Sequence, residues 1–291
     1  MWQKIIKFIV DWFTSKPDVS VTLPETIQII EPTESTELTE PNDIEPQPFT
    51  VVKEEHDISM DIKIIEDYLP PKEYINESTS KNAIVLHHTV SPSNSAVGDI
   101  QWWKTDPRRV GAHFIIDRFG NIYQCVPLDK WIHHLGVTMS SNRISFRYRT
   151  NELNDKYNSQ TIGIELDSAG GLISRNNKWI SSYNQQIPEK DVWKTKNYRG
   201  YTGFETYHPA QLESLKKLIL YLMEKYPVIK EGLNNDFTKI FDINLDALNS
   251  KPGIYSHTSY RTDKSDCAPQ PELIKMLNSL KDEVRSNSSE A

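Results

Sequence analysis

The hydrophobic and polar positions of the chain fall into distinct regimes. In the first thirteen residues Trp2, Ile5, Ile6, Ile9 and Phe13 recur at helical spacing, with Lys4, Lys7 and Asp11 on the opposite side. This predicts a short amphipathic helix over residues 1–16. Periodicity then disappears: residues 17–52 hold eight acidic residues, six prolines, no glycine and no Lys or Arg. Such a composition buries too little apolar surface to offset the entropy of ordering, so residues 17–59 read as an extended acidic linker. A folded domain is expected over residues 60–280, followed by a flexible tail over 281–291.

Inside the expected domain the pattern alternates between short β-rich runs and helical spacing. Residues 83–88 form an apolar β run, and 97–104 read as a helix. Residues 113–117 and 121–126 are two runs joined by Arg118-Phe119-Gly120, a hairpin signal with glycine available for a positive φ. A further β run covers 161–166. Pro209 stands where a first helical residue tolerates proline, and Leu212, Leu215, Leu218, Ile219, Leu222 and Met223 follow at helical spacing until Pro227. Residues 253–257 are the last expected strand. Helices interleaved with strands predict an α/β domain with a single central mixed β-sheet flanked by helices. The stretches 137–160 and 170–206 are polar and aromatic-rich without clear periodicity, and read as long loops. Their Trp179, Trp193, Tyr198 and Tyr201 are read either as the walls of a substrate groove or as a local mini-core.

Charge and cysteine content narrow the function. The chain of 291 residues carries a formal net charge of −7, with a pI near 5.7. Removing the eight acidic residues of the linker leaves the remainder close to neutral, so no basic patch for nucleic acid is expected. Cys125 and Cys267 are too few for a disulfide framework and are expected to be reduced thiols. No run approaches the roughly 18 apolar residues of a membrane span. The N-terminal helix lacks the uninterrupted apolar stretch and small-residue cleavage site of a secretory signal; docking to a protein assembly or a membrane surface is its functional reading.

The chemistry rests on histidine. Of eight histidines, His87, His88, His113, His133, His134 and His257 lie in or beside expected strands and tight turns, where a ring nitrogen can ligate a metal. His257 is followed within ten positions by Arg261, Lys264, Asp266 and Cys267, two of which are zinc-ligand types.

The strings Ile84-Val85-Leu86-His87-His88-Thr89, Gly111-Ala112-His113-Phe114-Ile115-Ile116-Asp117, Gln124-Cys125-Val126-Pro127, Trp131-Ile132-His133-His134-Leu135-Gly136 and Ile162-Gly163-Ile164-Glu165-Leu166 occur in this order. Together they resemble the N-acetylmuramoyl-L-alanine amidase family, which includes animal peptidoglycan recognition proteins and many phage endolysins. The resemblance spans roughly residues 82–275 and leaves the N-terminal helix and linker outside it. It implies zinc, Zn2+, held by His87, His257 and either Asp266 or Cys267. His87 is favoured over His88 because it is the first of the pair that faces the metal in the family, and neighbouring strand residues point to opposite faces. His88 is then a buried structural residue.

The resemblance further implies Glu165 as the catalytic base, Lys264 as a stabiliser of the developing oxyanion, and His134 as a residue lining the substrate cleft. Ala112 replaces a tyrosine found just before the corresponding strand in recognition proteins and short phage lysozymes. The chain is similar in this to the bacterial branch that uses a glutamate on the later strand. Lys264-Ser265-Asp266-Cys267-Ala268-Pro269 resembles the Lys-Thr-Asp-Pro-Gly-Pro string of that branch, which favours Asp266 as third ligand; Cys267 is the alternative. The implied activity is cell-wall lysis, by hydrolysis of the amide between N-acetylmuramic acid and L-alanine in peptidoglycan. A phage endolysin or virion-associated lysin is expected, held in the host cytoplasm or the virion before release. The rival reading is a non-catalytic peptidoglycan-binding module on the same fold.

Overall fold

The computed structural model describes residues 62–106, 108–137 and 150–289, with side chains from 152 to 285 in the last of these. The expected helix over 1–16, the linker over 17–59 and half of the first polar stretch, residues 138–149, lie outside the described residues.

In chain order the elements are β1 (Ile64–Glu66), β2 (Ala83–His88), α1 (Ala96–Trp103), β3 (Phe114–Ile116), β4 (Ile122–Gln124), α2 (Thr150–Gln160) and β5 (Thr161–Leu166). Then follow β6 (Gly171–Arg175), β7 (Lys178–Ile180), β8 (Gln186–Ile187), β9 (Val192–Tyr198), β10 (Tyr201–Glu205), α3 (Pro209–Lys225), α4 (Leu245–Leu248), β11 (Gly253–Ser256) and α5 (Pro271–Ser289). The central sheet has the order β1-β4-β3-β5-β2-β11. It is mixed: β3, β5, β2 and β11 run parallel, and the β3–β4 hairpin supplies the antiparallel pair. All six residues of β2 are buried, as expected of a strand that parallel neighbours flank on both edges and other elements cover on its faces.

Helix α3 follows its sequence pattern closely. His208 caps it by accepting from the backbone N–H of Ala210 at 3.3 Å, Pro209 opens it, and Leu212, Leu215, Leu218, Ile219, Leu222 and Met223 are all buried. With α5 it covers the main apolar core, built around Ile84, Leu86, Ile162 and Ile164.

The structure corrects the chain map in several places. The stretch 170–206, expected as loop, is a second, antiparallel sheet of order β8-β7-β6-β10-β9. Its strands are half-solvated, and its apolar contacts are local: Trp179 packs with Val192 against Ala169, Leu172 and Ile187, while Trp193, Tyr198 and Tyr201 lie around Phe204 at ring distances of 5.5–5.9 Å. Gly203 makes this possible, since a Cβ there would stand 2.5 Å from the Trp179 ring. Residues 150–160 are helical, and α5 continues through 281–289, where a tail was expected. Val284 packs on the core and Lys216 bonds Glu283 at 2.5 Å, which accounts for that continuation.

Candidate metal centre and its surroundings

Parallel register sets the first half of the site. His87 on β2 is the register partner of Glu165 on β5, and Ile115 on β3 is its partner on the other side, so these side chains share one face of the sheet. β11 ends at Ser256, and the chain turns at once into a 3₁₀ turn that begins with His257. His257 therefore sits beside the end of β2, because β11 pairs with β2 up to Ser256 and Leu86. Asp266 returns from the following loop, where its backbone carbonyl accepts from the N–H of Thr258 at 3.2 Å.

These three residues converge. His87 Nδ1 lies 3.1 Å from His257 Nδ1 and 3.1 Å from Asp266 Oδ2, and His257 Nδ1 lies 2.8 Å from the same oxygen. Among the described residues it is the one group of three or more His, Cys, Asp or Glu whose ligand atoms are close enough to hold a metal. A tetrahedral zinc with bonds of about 2.0 Å needs ligand atoms about 3.3 Å apart, close to what the side chains present. The donor set fits in its chemistry as well. His257 Nε2 lies 2.7 Å from the carbonyl oxygen of Leu135, which can only accept, so in the neutral ring Nδ1 is left as a lone pair.

Burial is the leading influence on both imidazoles: it pulls His87 down to about 4, helped by His257 and opposed by Asp266, and it lowers His257 against the pull of Asp266. For Asp266 burial works upward, but His257 and His87 outweigh it and hold the carboxyl well below its usual range. Two neutral imidazoles and one carboxylate are the protonation states that metal ligation requires.

Glu165 stands beside this cluster in an unusual state. The residue is half-buried, yet its Oε2 is shielded from solvent and has no hydrogen-bond partner. Burial, and then the charges of Asp266 and Asp99, raise its pKa well above the ordinary value, while Lys264 opposes the rise. A carboxylate oxygen with no hydrogen-bond partner is free to take a proton, and a raised pKa makes the group a stronger base. Lys264 acts electrostatically on His87, His257, Asp266 and Glu165 alike. It lines a cavity of about 300 Å³ together with Arg199, Tyr201, Thr262, Asp263 and Ser265. Tyr201 is thus the one aromatic of the second sheet on that wall, and Trp179 and Trp193 belong to the local mini-core.

The remaining expected residues are placed differently. Cys267 points away from the histidines: its thiol accepts from the Tyr207 hydroxyl at 3.2 Å and donates to the His87 carbonyl at 3.3 Å. The structure therefore brings Asp266, and not the alternative Cys267, to the imidazoles. Both cysteines are free and buried. His88 faces the other side of β2, where Nδ1 meets the Tyr207 hydroxyl at 2.9 Å, in keeping with a structural residue.

His134 was expected at the substrate cleft. It is buried, with Nδ1 at 2.9 Å from His87 Nε2 and Nε2 at 2.9 Å from Thr161 Oγ1. Among the described residues both of its ring nitrogens are engaged within the fold. Gly163 gives the ring its room, since a Cβ there would lie 2.9 Å from His134 Cγ. Thr161, Asn158 and Arg199 were not anticipated. The signal for the first was available: Thr161, Gly163 and Glu165 are alternate residues of one strand and share the face on which His134 and the metal cluster lie.

With this geometry in view, the comparisons with known proteins are direct. The family model for N-acetylmuramoyl-L-alanine amidase matches residues 77–270, well over half of the chain. The chain belongs to that family, whose members open an amide bond of bacterial cell-wall peptidoglycan. No curated protein matches the sequence. Solved structures similar to it include a mutant endolysin from Bacillus subtilis, at 16% identity and TM-score 0.42, covering 77% of this chain and 99% of that one. The N-acetylmuramoyl-L-alanine amidase LysC from Clostridium intestinale is 17% identical at TM-score 0.38, covering 77% and 97%. AmpD is 18% identical at TM-score 0.42, covering 75% and 93%. Likenesses at this level carry no functional weight of their own.

Proposed function

We propose that the chain is a zinc-dependent lytic amidase, cleaving the bond between the lactyl group of N-acetylmuramic acid and the L-alanine of the stem peptide. The observation that carries this reading is the converging face of His87 Nδ1, His257 Nδ1 and Asp266 Oδ2, with the unpartnered carboxylate of Glu165 beside it. Zinc held by the three ligands would polarise the scissile carbonyl and acidify a water. Glu165 takes the proton from the attacking water and delivers it to the leaving amine of L-alanine, and its raised pKa strengthens it as the base. Lys264, on the cavity wall, stabilises the negative charge that develops on the carbonyl oxygen. Every ligand position is filled and Glu165 is present, which counts against a binding-only module.

In this reading the protein is an endolysin or virion-associated lysin, and residues 1–16 dock it to an assembly or membrane surface through their amphipathic pattern. Removing residues 1–59 is expected to leave hydrolysis of soluble muropeptides intact and abolish that docking; a folded but inactive truncation contradicts it. The reaction is tested by digesting purified sacculi and weighing the products by mass spectrometry. Stem peptides with a free L-alanine amine, together with peptide-free glycan, are expected. Peptides cut internally, or glycan fragments still carrying peptide, would refute the assignment.

A further inference from the structure

The outward-facing nitrogens of the two imidazole ligands lead to one short segment of chain, and the hydrogen bonds along the way have only one consistent direction. The carbonyl oxygen of Tyr157 can only accept, and Thr161 Oγ1 donates its single proton there at 2.8 Å. The same oxygen then accepts from His134 Nε2–H at 2.9 Å. A neutral imidazole carries one proton, so His134 Nδ1 is an acceptor, and His87 Nε2, 2.9 Å away, must donate to it. His87 Nδ1 is thereby left bare, facing His257 Nδ1 and Asp266 Oδ2. The second arm is shorter: the Leu135 carbonyl accepts from His257 Nε2–H and leaves that Nδ1 bare too.

The two arms start from adjacent residues, and one side chain holds both. Asn158 Oδ1 accepts from the backbone N–H of His134 at 2.9 Å and of Leu135 at 3.0 Å. Asn158 is fully buried, and its Nδ2 donates to Asn154 O at 2.8 Å and Asn154 Oδ1 at 3.0 Å. Asn154 Oδ1 in turn accepts from Val137 N–H at 2.8 Å. Helix α2 therefore clamps the segment from which both ligands are oriented. A metal-bound histidine commonly donates its second N–H to a carboxylate, a carbonyl or water. Here one ligand has a carbonyl, and the other has a third imidazole that is itself fixed by a hydroxyl.

We infer that His134, Thr161 and Asn158 are positioning residues which fix His87 as the Nε2–H tautomer and seat His257, so that both Nδ1 atoms are presented to a divalent metal. The inference rests on the zinc reading above and extends it to residues that touch neither metal nor substrate. Loss of such an outer partner typically weakens metal affinity by about 10- to 100-fold.

The test uses the full chain, free of metal and then titrated with zinc against a competing chelator. Nitrogen-15 NMR of the metal-free protein at neutral pH is expected to report His87 as Nε2–H. Thr161→Val, which keeps the shape and removes the hydroxyl, is expected to populate both tautomers and to weaken zinc binding by about 10- to 100-fold, with Thr161→Ser restoring both. Wild-type affinity and an unchanged tautomer in Thr161→Val overturn the inference. So does an Nδ1–H His87 in the metal-free wild type, which needs no variant to fold. If the wild type binds no zinc, the metal reading of the preceding section fails, and the His87 tautomer alone then upholds or overturns the relay.

Discussion

The two sheets of this protein differ in what surrounds them, and the difference explains where its chemistry lies. In the six-stranded sheet β2 is wholly buried and β5 nearly so, and the polar groups admitted there, His87, Glu165 and Thr161, are each placed by register and packing. In the five-stranded sheet burial is partial: β9 has no buried residue, and Ile173 is 50% exposed. Low dielectric shifts pKa values, and packing fixes ring orientation; the first sheet offers both, and the second offers chiefly a wall. The second sheet meets the site where β9 turns into β10: Arg199 and Tyr201 border the cavity that Lys264 shares, and the Tyr198 hydroxyl bonds Thr258 Oγ1 at 3.4 Å and the Cys267 carbonyl at 3.3 Å, beside the ligands.

The largest effect that sharpens this contrast concerns the third ligand. Asp266→Ala is expected to lose bound zinc and essentially all activity, whereas Cys267→Ala, whose thiol faces Tyr207, keeps its zinc. Elemental analysis with a turnover assay reads both, and metal loss confined to the cysteine variant breaks the comparison. Next, Glu165→Gln is expected to retain zinc and lose about 100-fold or more in rate. In the wild type the rate should fall as pH drops through a value above the ordinary carboxylate range, since the base must be ionised, and this limb should vanish in the variant. Near-normal turnover in Glu165→Gln moves the proton transfer elsewhere.

Stability should separate the sheets by a smaller margin. Ile164→Ala, in the buried strand beside Glu165, is expected to cost about 2–5 kcal/mol in urea denaturation. Ile173→Ala in the exposed sheet should stay within about 0.5 kcal/mol. Similar costs at both positions would contradict the contrast. A pH-dependent effect on stability concerns Asp167, which is fully buried and whose carboxyl has the backbone N–H of Ala96 as a partner. Burial, then the charges of Asp99 and Glu205, raise its pKa to about 7. The folded state therefore holds a proton that the unfolded chain gives up near pH 4. The associated stability is complete below that point and is lost as pH rises through about 7. Asp167→Asn should melt with the wild type near pH 3 and several degrees above it at pH 8. An unchanged difference across that range removes the argument.

Legibility in the sequence followed the same contrast. Parallel strands covered on both faces appear as short, largely apolar runs, so 83–88 and 161–166 match β2 and β5 residue for residue. The amphipathic spacing of α3 likewise matches its buried face. The second sheet was invisible because its strands are half-solvated and held by Trp179 and Tyr201 across glycines, contacts that leave no run of apolar residues. At the site, motif order supplied His87, His257, Asp266, Glu165 and Lys264. It did not show that His134 meets another imidazole, because the setting of that ring depends on Thr161 and Asn158, polar residues from the start of β5 and the end of α2 that carry no pattern of their own.

On the proposed function, amide hydrolysis depends on a metal held by the buried end of the parallel sheet. The direct measurement is a zinc titration of the metal-free protein, following bound metal and release of L-alanine-terminated stem peptide from sacculi in the same samples. Activity should be absent at the start, rise in proportion to zinc bound, and saturate at one ion per chain. Full activity in the metal-free protein, or activity that continues to climb after the first ion is bound, would contradict it.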